Sequence, residues 1–231
     1  MEEKYTETEL SKVMMAKRLI FALSAVFLSL ILGLISFIIV KNIPSTSSRL
    51  IKYYIYLGVS VVNIITALIF QYLIGNIKKL VEVKRIISNI ITGIFFGSFF
   101  AVIFCLIPLA LNLYPFGYSL TLDALDVMIV SFHYLCLGLS FSLIYISLLQ
   151  DSLEIVLNKY KFYLPIITGL LYAIMAFFFT GNFGIYMLFV FILGLAHGYQ
   201  RLLFKTQNVI SYTLGVFAFF IFIMIIRLVL I

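Results

Sequence analysis

Seven apolar stretches, each about as long as a bilayer is thick, constrain this chain more than any other feature. They lie at roughly 19–40, 53–75, 86–110, 127–149, 163–180, 184–200 and 209–231. About 20 apolar residues in a helix cross about 30 Å of hydrocarbon. Hydrocarbon offers no hydrogen-bond partners, so the backbone must satisfy itself, which a helix does within one segment. Of the 231 residues, 64% are apolar and 11% charged; an average soluble domain has about 45–50% and about 25%. The mean hydropathy is +1.20. Water cannot be the solvent for this much apolar surface. The expected fold is all-α: a polytopic membrane helix bundle of about seven transmembrane helices. Residues 1–18 form a cytosolic N-terminal segment and residues 19–231 a single transmembrane domain, with no internal repeat and no stretch left for a separate soluble domain.

The net charge of +7 reads as a topology signal rather than a nucleic-acid surface, because cytosolic loops collect Lys and Arg. Alternate loops place Lys4, Lys12, Lys17, Arg18, Lys78, Lys79, Lys84, Arg85, Lys159, Lys161, Arg201 and Lys205 on one side. Only Lys41, Arg49, Lys52 and Arg227 fall on the other. The N-terminus is therefore expected inside and the C-terminus outside. The first span is read as a retained helix, not a cleavable signal peptide. Its leading segment carries four glutamates, and its apolar run is long, without a small-residue cleavage site. Thr6-x-x-Glu9 resembles a capping box for a short helix ahead of the membrane.

Small residues recur where helices can approach closely: Ala25, Ser29 and Gly33; Gly93 and Gly97; Gly194 and Gly198. In lipid such spacing favours close backbone packing, expected here within one bundle rather than between copies. The longest outer loop, 111–126, turns at Pro115 and Gly117 and carries Asp123 and Asp126. Cys105 and Cys136 stand alone in apolar runs and read as small buried hydrophobes.

Ionisable groups at mid-membrane mark function by default. No Asp, Glu, Lys or Arg falls in the central part of any predicted span, which argues against ion-coupled transport through a buried carboxylate. A polar stripe does run down the fourth span: Asp126, His133, Ser140 and Ser147, seven residues apart. Seven residues are nearly two helical turns, so the four are expected on one face, a polar seam turned inward. Asn63, Gln71 and Thr168 are candidates to face it. The same spacing excludes a catalytic triad, since each step rises about 10.5 Å while such groups must lie within about 3 Å. His133 and His197 are the only histidines, and the topology separates them too far in depth to share a metal. His197, between Gly194 and Gly198, is expected to pack between helices and hydrogen-bond to a neighbour. No metal or other cofactor is expected.

The late segment "FILGLAHGYQRLLFKTQNVISYTLGV" (191–216) and the earlier "LSFSLIYISLLQDSLEIVL" (139–157) resemble the CAAX-protease and bacteriocin-processing (CPBP) intramembrane metalloproteases. The resemblance spans roughly 138–222, about a third of the chain. It implies a CPBP-like core in which the family's EExxxR falls on Phe141, Ser142 and Ile146, its FxxxH on Tyr172 and Ala176, and its final HxxxN on Val216 and Phe220. None of these side chains is a carboxylate or an imidazole. Metal-assisted hydrolysis needs ligands and a base, so the resemblance implies a degenerate member without catalysis.

The expected function is thus a non-catalytic multi-pass protein of the cell membrane, a pseudoenzyme on a CPBP-like scaffold that binds membrane proteins, peptides or lipids, with no nucleic-acid partner. The alternative is a subunit of a transporter or other membrane complex unrelated to those proteases. A third reading is an active intramembrane hydrolase that uses Asp123, Asp126 and His133 at the outer mouth.

Overall fold

The computed structural model describes residues 7–44, 49–75, 86–110, 124–180, 185–204 and 209–229. Every element among them is helical: α1 (Glu7–Lys41), α2 (Arg49–Leu73), α3 (Ile86–Ala110), α4 (Ala124–Phe141), a π-helical stretch (Ser142–Gln150), α5 (Asp151–Val156), a 3₁₀ segment (Asn158–Tyr163), α6 (Leu164–Thr180), α7 (Ile185–Leu203) and α8 (Val209–Val229). Seven bodies among these are long and apolar enough to cross a membrane. The protein is a multi-pass, all-helical membrane protein, and its apolar outer faces suit contact with lipid.

Two boundaries depart from expectation. The N-terminal segment is not a separate short helix: α1 runs unbroken from Glu7 to Lys41. No Gly or Pro interrupts Ser11–Leu19, and its Lys, Met, Ala, Arg and Leu are all good helix formers. Thr6, half of the expected capping box, lies outside the described residues, as do Pro115, Gly117 and Asp123 of the long outer loop. The fourth span is longer than its apolar run. It extends from Ala124 to Val156 as one body, because the π stretch joins α4 to α5 without a break.

That π stretch is the axis of the molecule. All nine of its residues are buried, and α1, α2, α4, α6, α7 and α8 all pack against it. Its Ser142, Tyr145, Ser147 and Gln150 favour the centre of the bundle, because hydrocarbon would leave their polar groups without partners. Extended π winding is rare and concentrates at functional positions.

Glycines decide which helices touch at their backbones. A Cβ at Gly93 or Gly97 of α3 would fall 2.3 Å from the Ser211 carbonyl oxygen or 2.1 Å from that of Gly215, both on α8. A Cβ at Gly194 of α7 would meet the Gly169 Cα of α6 at 3.0 Å, and one at Gly198 would meet the Pro165 Cα at 2.8 Å. Gly138 of α4 is equally pressed against the Thr213 carbonyl of α8. The small-residue motifs are therefore spent on packing within the chain. In lipid this close approach is what stabilises helix pairs, since apolar surface gains nothing by leaving hydrocarbon.

Candidate functional site

Several buried polar side chains belong to the π stretch or bond to it: Ser142, Ser147 and Gln150 lie on it, and Gln71, Thr168 and Thr213 reach it from neighbouring helices. The wider winding from Ser142 onward changes which residues share a face, so a seven-residue spacing no longer predicts one. His133, Ser140 and Ser147 are buried, whereas Asp126 is only half-buried. Ser140 turns back onto its own helix, its hydroxyl donating to the Leu137 carbonyl at 2.9 Å. Ser147 reaches α2, receiving the Gln71 amide at 2.9 Å. The expected seam is therefore not one continuous line.

Further cross-helix links accompany the Gln71–Ser147 bond. Towards α1 and α2, the Ser29 hydroxyl lies 2.9 Å from the Tyr145 hydroxyl and accepts from the Asn63 amide at 3.1 Å. Towards α6 and α7, Gln150 donates to the Gly198 carbonyl at 2.8 Å and accepts from the Thr168 hydroxyl at 3.0 Å. At the end of the bundle, Arg201 of α7 clamps Asp151 of α5 in a two-point ion pair, Nε to Oδ1 at 2.9 Å and Nη2 to Oδ2 at 2.8 Å. Both partners are partly exposed. A planar guanidinium fork matches a carboxylate in this manner, so the pair fixes direction as well as charge. Ser142 donates to the Gly138 carbonyl at 2.7 Å and accepts from Thr213 at 3.3 Å, which ties α4 to α8.

The two histidines occupy different layers. His133 sits in an aromatic nest, its ring 5.8 Å from that of Tyr53, 6.1 Å from Tyr56 and 5.9 Å from Phe179. His197 packs against Tyr172 and Tyr212 at 6.0 and 5.7 Å. Phe179 and Tyr172 are seven residues apart on α6, a rise of about 10.5 Å. The hydrogen bond expected for His197 is not made among the described residues, where neither ring nitrogen has a partner. Its ring edge instead faces the backbone of α8 at Gly215. Among the described residues, no three His, Cys, Asp or Glu side chains converge as metal ligands.

The seven positions singled out by the expected resemblance are all interior. Phe141, Ser142, Ile146, Tyr172, Ala176, Val216 and Phe220 are each at most 5% exposed, and the Phe141 and Tyr172 rings lie 4.6 Å apart. The chain matches no protein-family model, no curated protein and no solved structure.

Several of these groups escaped the sequence reading. Asp151 and Arg201 stand just beyond the predicted ends of spans four and six, both on the side expected to face the cytosol, so their opposite charges were a usable signal. Gln150, an amide closing an apolar run, was another. Ser29 was read as a packing residue and Tyr145 not at all. A hydroxyl in a membrane span is too common to indicate which partner it meets.

Proposed function

We propose that this protein is a non-catalytic, multi-pass protein of the cell membrane, built on a scaffold related to the CPBP proteases, whose role is to bind another membrane protein. The observation that carries this reading is the shared burial of the seven motif positions. They come from α4 and the π stretch, α6 and α8, where a metal, its ligands and a base would have to converge. They are filled with rings, aliphatic groups and two hydroxyls, that of Ser142, engaged with Gly138 and Thr213, and that of Tyr172, and none is a carboxylate or an imidazole. Such a chamber supplies neither a Lewis acid nor a base. What the scaffold keeps is a rigid inner core and broad lipid-facing surfaces on α1, α2 and α3, where Phe27, Ile65 and Phe95 are each more than half exposed.

The test is quantitative cross-linking in native membranes followed by purification in two unrelated detergents. The expected result is one membrane protein recovered in fixed ratio in both. Recovery of the chain by itself in every condition would remove the reading. Loss of a transport activity on deletion, with that transporter as the recovered partner, would favour a complex subunit unrelated to the proteases. Peptide hydrolysis by the purified protein that Asp126→Asn abolishes would establish an enzyme instead.

A further inference from the structure

Where α6, α7 and α8 meet, two adjacent turns of the bundle hold buried polar atoms that have no hydrogen-bond partner among the described residues. His197 is 1% exposed, and both its Nδ1 and its Nε2 lack a hydrogen-bond partner. So do the Tyr172 hydroxyl of α6, Nε2 of Gln200 one turn along α7, and the Ser211 hydroxyl of α8. Ser211 stands one turn before Gly215 on the same face of α8. A Cβ at Gly215 would fall 2.5 Å from His197 Nε2, and the Gly93 carbonyl oxygen of α3 is 3.6 Å from that same point. Four helices thus bound the site.

Other unpartnered buried polar atoms among the described residues stand one to a side chain, on Asn63, Gln71, Asn89, Ser98 and His133, whereas His197 has neither ring nitrogen satisfied. A buried group left without a partner destabilises the fold, and hydrocarbon offers no substitute. A neutral imidazole carries one donor and one acceptor, and the hydroxyls of Tyr172 and Ser211 each offer both. The five atoms therefore ask for a guest that donates and accepts, carries no charge and is small. The glycine-mediated crossings around the layer, at Gly93, Gly194, Gly198 and Gly215, favour the smallest such guest.

We propose that the His197 layer is a hydration site, in which water is held by His197, Tyr172 and Ser211 and exchanges with the bulk past Gln200 and the Asp151–Arg201 pair. Buried water commonly makes about three hydrogen bonds, which this set supplies. Tyr212 continues the route, since its ring lies 5.7 Å from that of His197 and its buried hydroxyl also lacks a hydrogen-bond partner. The inference stands on unpartnered atoms and does not depend on the protease-like scaffold.

The experiment is water-edited solid-state NMR on the full chain in lipid bilayers with ¹⁵N-labelled histidine. With two histidines in the chain, His133→Gln leaves His197 as the sole signal. If that variant does not insert, His197→Gln identifies the wild-type signal by subtraction. The expected result is transfer from water to the His197 ring nitrogens at mixing times as short as those that reach the exposed lysines. Replacing Tyr172 by Phe and Ser211 by Ala together should slow that build-up at least about twofold, since two of the water's roughly three partners are lost. No transfer to His197 at long mixing times, or ring nitrogens bonded directly to a protein hydroxyl, would overturn the proposal.

Discussion

The α3–α8 and α6–α7 crossings and the α1–α2 side of the bundle are held by different forces. At the first two, glycines bring backbone onto backbone: Gly97 against Gly215, and Gly198 against Pro165. On the other side, Gly58 of α2 has nothing within 4 Å of where a Cβ would stand, and Gly33 of α1 meets only the side chains of Met175 and Phe178. There side chains make the contacts: Ser29 bonds to Tyr145 and Gln71 to Ser147, Ala22, Ala25 and Ala67 are buried in the core, and Phe21 stacks on Phe70. Close backbone packing maximises dispersion and tolerates no added atom. An interhelical hydrogen bond is directional but worth only about 0.6 kcal/mol on average in lipid. The glycine crossings are therefore the rigid part of the molecule, and α1–α2 is the part that separates first under stress.

The largest effect should come from the rigid part. Gly97→Leu would drive its side chain into the Gly215 carbonyl and Ala218. We expect a loss of about 3 kcal/mol or more, since the obstacle is backbone, read as an early thermal transition in bilayers or a failure to insert. Gln150→Leu comes next. It keeps the volume but leaves the Thr168 hydroxyl only the Leu164 carbonyl of its own helix, at 3.4 Å, and frees the Gly198 carbonyl, for about 1–3 kcal/mol. Hydrogen exchange should rise at both α6 and α7. Ser29→Ala should cost about 1 kcal/mol and raise exchange in α1 and α2 alone; equal loosening of α3 and α8 would contradict the division drawn above. The smallest change is Gly58→Ala, which we expect to leave stability unchanged or raise it by up to about 1 kcal/mol through helix propensity. A marked loss there would mean that α2 is in backbone contact with a partner.

Much of the architecture was legible beforehand because it follows from solvent. Spans predicted at 53–75 and 163–180 correspond to Ile51–Leu73 and Asn158–Phe179, and Gly93-x-x-x-Gly97 does lie at a helix crossing. The seam on the fourth span was only partly legible. A 3.6-residue period places His133, Ser140 and Ser147 together, but π winding after Phe141 breaks the count, and nothing local in "SLIYISLLQ" announces it. The pairings of Ser29 with Tyr145 and Asp151 with Arg201 span 116 and 50 residues; composition carries no information at that range.

Sequence alone determined the medium, the number of crossings and their helical form, because apolar length and backbone satisfaction in hydrocarbon admit few other solutions. Only the tertiary structure decided which small residues meet, where the helix widens, and which buried polar atoms find partners. Those outcomes depend on distances of an ångström or less between helices remote in the chain, and no pattern within one helix encodes them.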